Sequence, residues 1–355
     1  MQRPVMNPYL TAEPDQPKRK RGWKDYLRLT LVPFKAIYKV LLWEPLAQHR
    51  LRQLKVEDGT RMSRIARGVF YRLAFVPLLI ALAISAFVWS GTHPKQLTSD
   101  LDPTSQGIFY DTVNLTTDDG VNLEAWIVPV FDEKRVMEQR EEVLRGRQPA
   151  VLLVHDFGNR RQQMLPLVRP LHEAGFVVMV LATRGCGPSQ AAGVTFGLRE
   201  TLDVKAAVET LRRRPFVDPT RVAVVGTGAG ANAALLQADV DKTLAALVLE
   251  RPIRSARQAL TDQIGPHIPS LNWMRPLCKW AFEMSYQVDA EELDLDSKRI
   301  DRIAASRPVL TLEDATKVKI DSSVGLDSVV KFLKSNLRKE KSASASVPTG
   351  TATGN

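Results

Sequence analysis

A glycine-rich turn marks the position where this chain is best suited to hold a reactive group. An apolar run at residues 222–225 predicts a buried strand, and a helical pattern begins at residue 229. The turn between them is Gly226-Thr227-Gly228-Ala229-Gly230. A strand-to-helix turn of the form G-x-S-x-G presents a serine nucleophile, because its small flanking residues allow a sharp bend. The central position here is Gly228, which has no side chain that can react.

Two other chemistries could use the same turn. Thr227 carries a hydroxyl, but neighbouring side chains on a sharp turn project in different directions, so the pattern does not favour it as a nucleophile. The letters GTGAGA also resemble the dinucleotide-binding loop G-x-G-x-x-A. That loop normally follows the first strand of its unit, whereas this turn follows about the fifth. We therefore predict no bound cofactor, and two cysteines are too few for a zinc ribbon, so no metal is predicted either.

A hydroxyl nucleophile also needs a positioned base to remove its proton. The chain has five histidines, at His49, His93, His155, His172 and His267. The first two precede the predicted folded domain, the third ends an apolar strand, and the fourth lies in a predicted helix. No histidine follows residue 267, so the last strand and the last helix bring no base of this type.

Strand and helix patterns alternate over residues 108–340, where they must position these groups. Residues 109–116 and 121–130 predict an antiparallel hairpin around a turn at 118–120. Later apolar runs have the character of buried parallel strands, at 150–155, 176–182, 222–225, 244–249 and 308–312. Helical segments separate them at 162–173, 201–213 and 229–238. The sequence predicts an α/β domain with a doubly wound, mostly parallel sheet.

Four segments in order carry a resemblance to a known family. They are LLVHDFGNRR (152–161), ATRGCGPS (182–189), the long segment 196–236 that contains the turn, and SRPVL (306–310). The chain resembles α/β-hydrolases of the serine-aminopeptidase or prolyl-oligopeptidase-like type over roughly residues 108–338. The resemblance implies that residues 252–303 form a cap insertion on the sheet.

The same resemblance implies a degenerate catalytic triad. Gly228 stands at the nucleophile position, and the family's base, expected between the last strand and the last helix (326–337), is missing. The family's acid position falls on Lys317, with Asp314 as a nearby alternative. No catalytic residue is therefore predicted.

The resemblance also places a degenerate oxyanion loop at His155-Asp156-Phe157. The family carries a His-Gly pair there, in which the histidine is structural. Asp156 puts a negative charge beside the position where an oxyanion would form, which opposes the stabilisation that acyl transfer requires.

A long apolar segment precedes the domain. Residues 73–94 are 22 consecutive positions without Asp, Glu, Lys or Arg. A helix over 69–91 would rise about 34 Å, enough for a hydrocarbon core of about 30 Å. We predict a transmembrane helix that contributes no element to the domain.

The positive charge of the chain indicates how that helix is oriented. Residues 1–72 hold 16 basic and 6 acidic residues, so they carry the whole net charge of +10 and leave the remainder balanced. A balanced domain predicts no nucleic-acid partner. By the positive-inside rule, the N-terminus is cytoplasmic and the C-terminal domain extracytoplasmic, a single-pass signal-anchor topology.

The other segments have simpler expectations. Residues 1–68 form a basic segment whose stretch 28–46 has the pattern of an amphipathic helix on anionic lipid, or equally of a partner helix or fluctuating segment. Residues 92–107 are predicted as a linker, and the Ser/Ala/Thr/Gly-rich residues 341–355 as a disordered tail. Whether Cys186 and Cys278 pair stays open.

These observations predict a membrane-anchored, catalytically inactive α/β-hydrolase-like protein. Its expected partners are membrane lipid, through the span and the basic segment, and a protein or small-molecule ligand. The alternative is a membrane-bound hydrolase of esterase or peptidase type with an unconventional nucleophile, such as Thr227, Ser189 or a residue of the cap.

Overall fold

The computed structural model describes residues 61–94, 101–130, 147–253, 255, 275–294, 297–312 and 319–337. The chain divides into two compact units, Met1–Ala81 and Leu82–Asn355. Several predictions fall outside the described residues: the amphipathic stretch 28–46, the part of the cap insertion at 256–274 that contains His267, the acid region with Asp314 and Lys317, and the tail 341–355.

In the described part of the chain, a seven-stranded sheet forms the centre of the second unit. Its strands are β1 (Asp111–Thr116), β2 (Asn122–Val128), β3 (Gln148–Val154), β4 (Val177–Leu181), β5 (Val217–Thr227), β6 (Ala246–Glu250) and β7 (Val309–Leu312). They lie in the order β1-β2-β4-β3-β5-β6-β7. The β1–β2 and β2–β4 pairs are antiparallel and the other pairs are parallel, so the predicted hairpin and mostly parallel sheet are confirmed.

Helices cover both faces of this sheet. The described helices are α1 (Arg61–Thr92), α2 (Leu165–Glu173), α3 (Glu200–Arg212), α4 (Ala229–Val240), α5 (Arg275–Tyr286), α6 (Ser297–Ser306) and α7 (Ser323–Leu337). On one face α3, α4 and α6 pack against alternate strand residues, and on the other face α2 and α7 pack against the remaining set. Strands β4 and β6 are buried over their whole length, as continuous apolar runs in a two-sided sheet require.

Helix α1 is the apolar helix that the sequence predicts, extended toward its N-terminus to Arg61. Its segment Gly68–Thr92 has 25 residues and contains an 18-residue window with a mean hydropathy of 2.3, so it is long and apolar enough to cross a membrane by length and composition. The boundary between the two compact units falls inside this helix, after Ala81.

The last turns of α1 pack against the domain, which the sequence analysis did not predict. Ile84 and Val88 are buried in a cluster with Phe196, Cys278 and Phe282. This packing is non-local in sequence, so an apolar run alone does not reveal it. Cys186 and Cys278 are both buried and free, so they form no disulfide bond with each other.

Candidate functional site

The glycine-rich turn joins the central strand β5 to helix α4. Gly228 lies between them with φ 53° and ψ −118°, a left-handed conformation that side chains disfavour. Its N–H donates to the Glu250 carbonyl oxygen at 2.9 Å, which ties the turn to the end of β6. The bend is tight, because a Cβ built on Gly230 would lie only 2.6 Å from the His155 carbonyl oxygen. The sequence therefore forms a strand-to-helix elbow that carries no side chain at its apex.

A carboxylate fills the space beside that apex. Asp156 Oδ1 accepts hydrogen bonds from the backbone N–H groups of Phe157, at 2.7 Å, and Ala229, at 2.8 Å. A Cβ built on Gly228 would overlap Oδ1 and Cγ of the same carboxyl group. Asp156 therefore occupies the volume that a nucleophile's side chain would need.

The two donors of this carboxylate are the ones that a nucleophile elbow uses for its oxyanion hole. In an elbow of the G-x-S-x-G type, one donor is the N–H of the residue after the nucleophile and the other comes from the loop after β3. Ala229 follows the apex residue, and Phe157 lies in the loop after β3. Asp156 Oδ1 thus stands in for the negatively charged oxygen of a reaction intermediate.

The electrostatics of Asp156 combine opposing effects. Burial raises the pKa of its carboxyl group from the ordinary value of 3.8, and the Glu250 charge acts in the same direction. The two N–H donors and the Arg251 charge favour the ionised form and offset part of that rise.

Both ring nitrogens of His155 form hydrogen bonds that hold the loop after β3 in place. Its Nδ1 lies 2.8 Å from the Asp156 carbonyl oxygen, which can only accept, so this nitrogen carries the proton. Its Nε2 then accepts from the Thr183 N–H at 3.3 Å. Burial lowers the pKa of the ring to about 4. His155 is therefore neutral and has no free lone pair with which to act as a base.

The comparisons with known proteins bear on this geometry. No protein-family profile matches the chain. It is 27% identical over 205 residues to the α/β-hydrolase domain-containing protein WAV2 of Arabidopsis thaliana. It is 28% identical over 208 residues to an uncharacterized protein of Mycobacterium tuberculosis. These matches cover 57% and 56% of this chain but only 56% and 66% of the two relatives.

Among solved structures, the chain is similar to a Pyrococcus furiosus esterase, Pf2001, with a TM-score of 0.51 and 17% sequence identity. The superposition covers 70% of this chain and 98% of the esterase chain. The chain has the α/β-hydrolase fold. The similarity at this identity concerns the fold, and the chemistry of the α/β-hydrolase domain must be judged from its own residues.

The two alternative nucleophiles are both inside the α/β-hydrolase domain rather than at an open site. Ser189 is buried, and its Oγ donates to the Ala182 carbonyl oxygen at 2.7 Å and accepts from the Glu124 N–H at 3.0 Å. Thr227 is fully buried, and its hydroxyl has no hydrogen-bond partner among the described residues. The first fastens a loop to β2, and the second is closed off from solvent.

Arg184 holds the loop after β4 in place through two ion pairs. It is buried, and its guanidinium forms ion pairs with Asp203 at 2.7 Å and Asp119 at 2.6 Å. Its backbone N–H also donates to Asp203, at 2.9 Å. The arginine of the predicted loop is therefore a structural group that joins β4, α3 and the β1–β2 turn.

Glu250 is a site residue that the sequence analysis missed. It ends β6 beside the elbow, is buried, and accepts the Ile320 N–H at 2.9 Å through Oε1. A charged residue at the end of an otherwise apolar strand was the available signal. Because its carboxylate is bonded to the segment before α7, Glu250 connects the elbow to the last helix. In the described ranges, no group of three or more His, Cys, Asp or Glu side chains is placed to hold a metal ion.

A row of aromatic rings leads away from the site. Phe157 contacts Phe196 with ring centroids 5.1 Å apart, Phe196 contacts Phe282 at 5.9 Å, and Phe282 contacts Tyr286 at 5.3 Å. The Tyr286 hydroxyl lies 2.5 Å from Thr92 Oγ1 at the end of α1. The oxyanion loop is thereby linked by direct packing to the apolar helix.

Proposed function

We propose that this protein is a membrane-anchored, non-catalytic member of the α/β-hydrolase fold that binds a ligand or protein partner without turning it over. The observation that carries the proposal is the Asp156 carboxylate on the N–H groups of Phe157 and Ala229. An elbow whose oxyanion hole is filled by its own side chain cannot stabilise a tetrahedral intermediate.

The energetics of acyl transfer support this proposal. Loss of one oxyanion-hole donor costs about 10²- to 10³-fold in turnover, and both donors are engaged here. The charge of Asp156 would also repel a developing oxyanion at the same place. Gly228 has no side chain that could attack a substrate carbonyl and carry its acyl group. The adjacent His155 has both ring nitrogens bonded, so it has no free nitrogen with which to activate a water for direct attack.

The anchor is supported by α1 and by the distribution of charge. The apolar segment Gly68–Thr92 has the length of a span, and the whole net charge of +10 lies in residues 1–72. We place the N-terminus in the cytoplasm and the domain on the other side of the membrane. Protease added outside intact cells should digest the domain and leave the basic segment protected until the membrane is permeabilised. The reverse pattern would overturn this topology.

Reaction with a fluorophosphonate probe tests the absence of catalysis. The full-length protein should stay unlabelled and should not hydrolyse p-nitrophenyl acetate, under conditions in which an active serine hydrolase is labelled completely. Labelling of the wild-type protein would contradict the proposal, and mapping the modified residue would show whether Thr227 or Ser189 serves as the nucleophile of the alternative function.

The variant Gly228→Ser separates a missing nucleophile from a missing site. It restores the letters G-x-S-x-G, yet we expect no hydrolysis above the wild-type level. Triad members act as a unit, so a serine without its base gains almost nothing of the roughly 10⁶-fold that a triad supplies. Turnover by this variant alone would reveal a base serving the elbow.

A further inference from the structure

Among the residues that the structure describes, helix α5 has one buried apolar face and a second apolar face that is exposed. Cys278, Ala281 and Phe282 are buried in the domain. Leu277, Trp280 and Met284 are exposed, with 40%, 62% and 64% of their surface in contact with solvent. Their spacing of three and four residues places them in one stripe along the helix. We call Leu277, Trp280 and Met284 the exposed stripe.

The covered face of α5 packs against the last turns of α1. Phe282 shares its cluster with Ile84 and Val88. Two polar contacts complete the junction: the Tyr286 hydroxyl lies 2.5 Å from Thr92 Oγ1, and the Thr92 carbonyl oxygen accepts the Val194 N–H at 2.9 Å. The exposed stripe therefore belongs to a helix that is fastened beside the end of the apolar segment.

The C-terminal end of α1 also carries an exposed aromatic side chain. Trp89 is 63% exposed, one residue after the buried Val88. Trp side chains prefer the interface between hydrocarbon and water, where the ring is desolvated and the N–H stays hydrated. Trp89 and Trp280 thus lie on two helices that pack together, each with its ring outside the protein core.

The basic side chain that the structure describes on α5, Lys279, is already paired, which favours contact by apolar insertion. Lys279 forms ion pairs with Glu291 at 2.9 Å and Glu283 at 3.6 Å, so its charge is already neutralised. A surface that bound anionic headgroups would present unpaired basic side chains.

We infer that Leu277, Trp280 and Met284 insert into the surface of the bilayer that α1 crosses, so that the domain contacts the membrane through α5 as well as through its anchor. The inference rests on the proposed anchor. The exposed Trp89, on the helix that packs against α5 at the end of the proposed span, selects a bilayer as the occupant of the exposed stripe.

Spin labelling of the full-length protein in phosphatidylcholine vesicles tests this contact. A nitroxide is attached at Met284→Cys and, as a matched control, at Val240→Cys. Val240 is 78% exposed and ends α4, whose 12 residues place it about 18 Å from the elbow. Wild-type protein treated with the same nitroxide reagent shows whether the two buried cysteines, Cys186 and Cys278, react. Equal melting temperatures for wild-type and both variants confirm that the label positions tolerate the change.

The result expected is a ratio of oxygen to water-soluble nickel collisions at least threefold higher at position 284 than at position 240, unchanged when a third of the lipid is phosphatidylserine. Equal ratios in protein that floats with the vesicles would overturn the inference and leave the anchor in place. Protein that fails to float would overturn the anchor itself. Exclusion of both reagents from position 284 would show that protein covers the exposed stripe, with dipolar broadening if the cover is a second copy, and would also overturn the inference.

Discussion

The elbow and the carboxylate beside it should behave as one unit, which a double-mutant cycle can measure. Gly228→Ala places a Cβ where the Asp156 carboxyl group lies, so the carboxylate must leave. Asp156→Gly removes the carboxylate in advance. In the double variant the new Cβ therefore enters an empty space, and only the strain of the left-handed backbone at φ 53° remains.

The contacts on Asp156 set the size of the effect. The backbone strain costs about 1–3 kcal/mol and is present in either background. Expelling the carboxylate forfeits two hydrogen bonds to a charged group, at about 1.5–3 kcal/mol each, part of which the carboxylate recovers by hydration. Losing these hydrogen bonds therefore lowers the free energy of unfolding by about 3 kcal/mol. Each single variant loses them, so the sum of the two single effects counts this loss twice, whereas the double variant loses them only once. The double variant should be about 3 kcal/mol more stable than the sum of the singles predicts.

Thermal unfolding of the full-length protein in detergent, followed by near-ultraviolet circular dichroism, provides the assay. For a domain of this size a coupling of about 3 kcal/mol corresponds to a shift of roughly 6–12 °C in Tm. Asp156→Asn is the matched control, because its amide oxygen can accept both N–H bonds and should cost less than about 1 kcal/mol. Additive effects within about 0.5 kcal/mol would refute the reasoning, since they would mean that the carboxylate and the apex do not share the same space.

Other perturbations test the groups that hold the site. Because burial lowers the pKa of His155 to about 4, the unfolded chain, with a histidine pKa near about 6.5, takes up the proton first as the pH falls. The neutral ring contributes its full stability above the pKa of the unfolded chain, about 6.5. Below that pH the free energy of unfolding declines by about 1.4 kcal/mol per pH unit until the pH reaches about 4. His155→Gln should remove that slope from denaturant unfolding between pH 7 and 4, and an unchanged slope would contradict the neutral, bonded ring. Arg184→Met should cost about 3–5 kcal/mol in free energy of unfolding because it leaves Asp203 buried without its partner. Adding Asp203→Leu should recover much of that loss, and no recovery would show that the ion pair is not its source. A chain that begins at Lys95 should be less stable than one that begins at Leu82 by about 3–6 kcal/mol, because it lacks the two buried aliphatic side chains of α1. Equal melting temperatures for the two chains would show that the end of α1 contributes no packing.

The sequence predicted the sheet well because its signals are local. The apolar runs at 150–155 and 176–182 correspond to β3 and β4 within two residues at each end, since a strand buried on both faces leaves a continuous apolar segment. The glycines of the elbow and the apolar run of α1 are likewise visible in the letters themselves. The absence of a side chain at Gly228 and the presence of a charge at Asp156 needed no coordinates either.

Contacts between distant parts of the chain were decided only by the tertiary structure. The sequence placed Asp156 near the site, but the bond from its Oδ1 to the Ala229 N–H joins residues 73 positions apart. The bond of Glu250 to the Ile320 N–H spans 70 positions, and Thr92 meets Tyr286 across 194. Periodicity reports which face of an element is apolar, but it carries no information on which distant donor a carboxylate reaches or which domain covers a helix end. Those contacts follow from how strands and helices pack together, and they decide that the Asp156 carboxylate occupies the space beside Gly228 and that Ile84 and Val88 are buried against the domain.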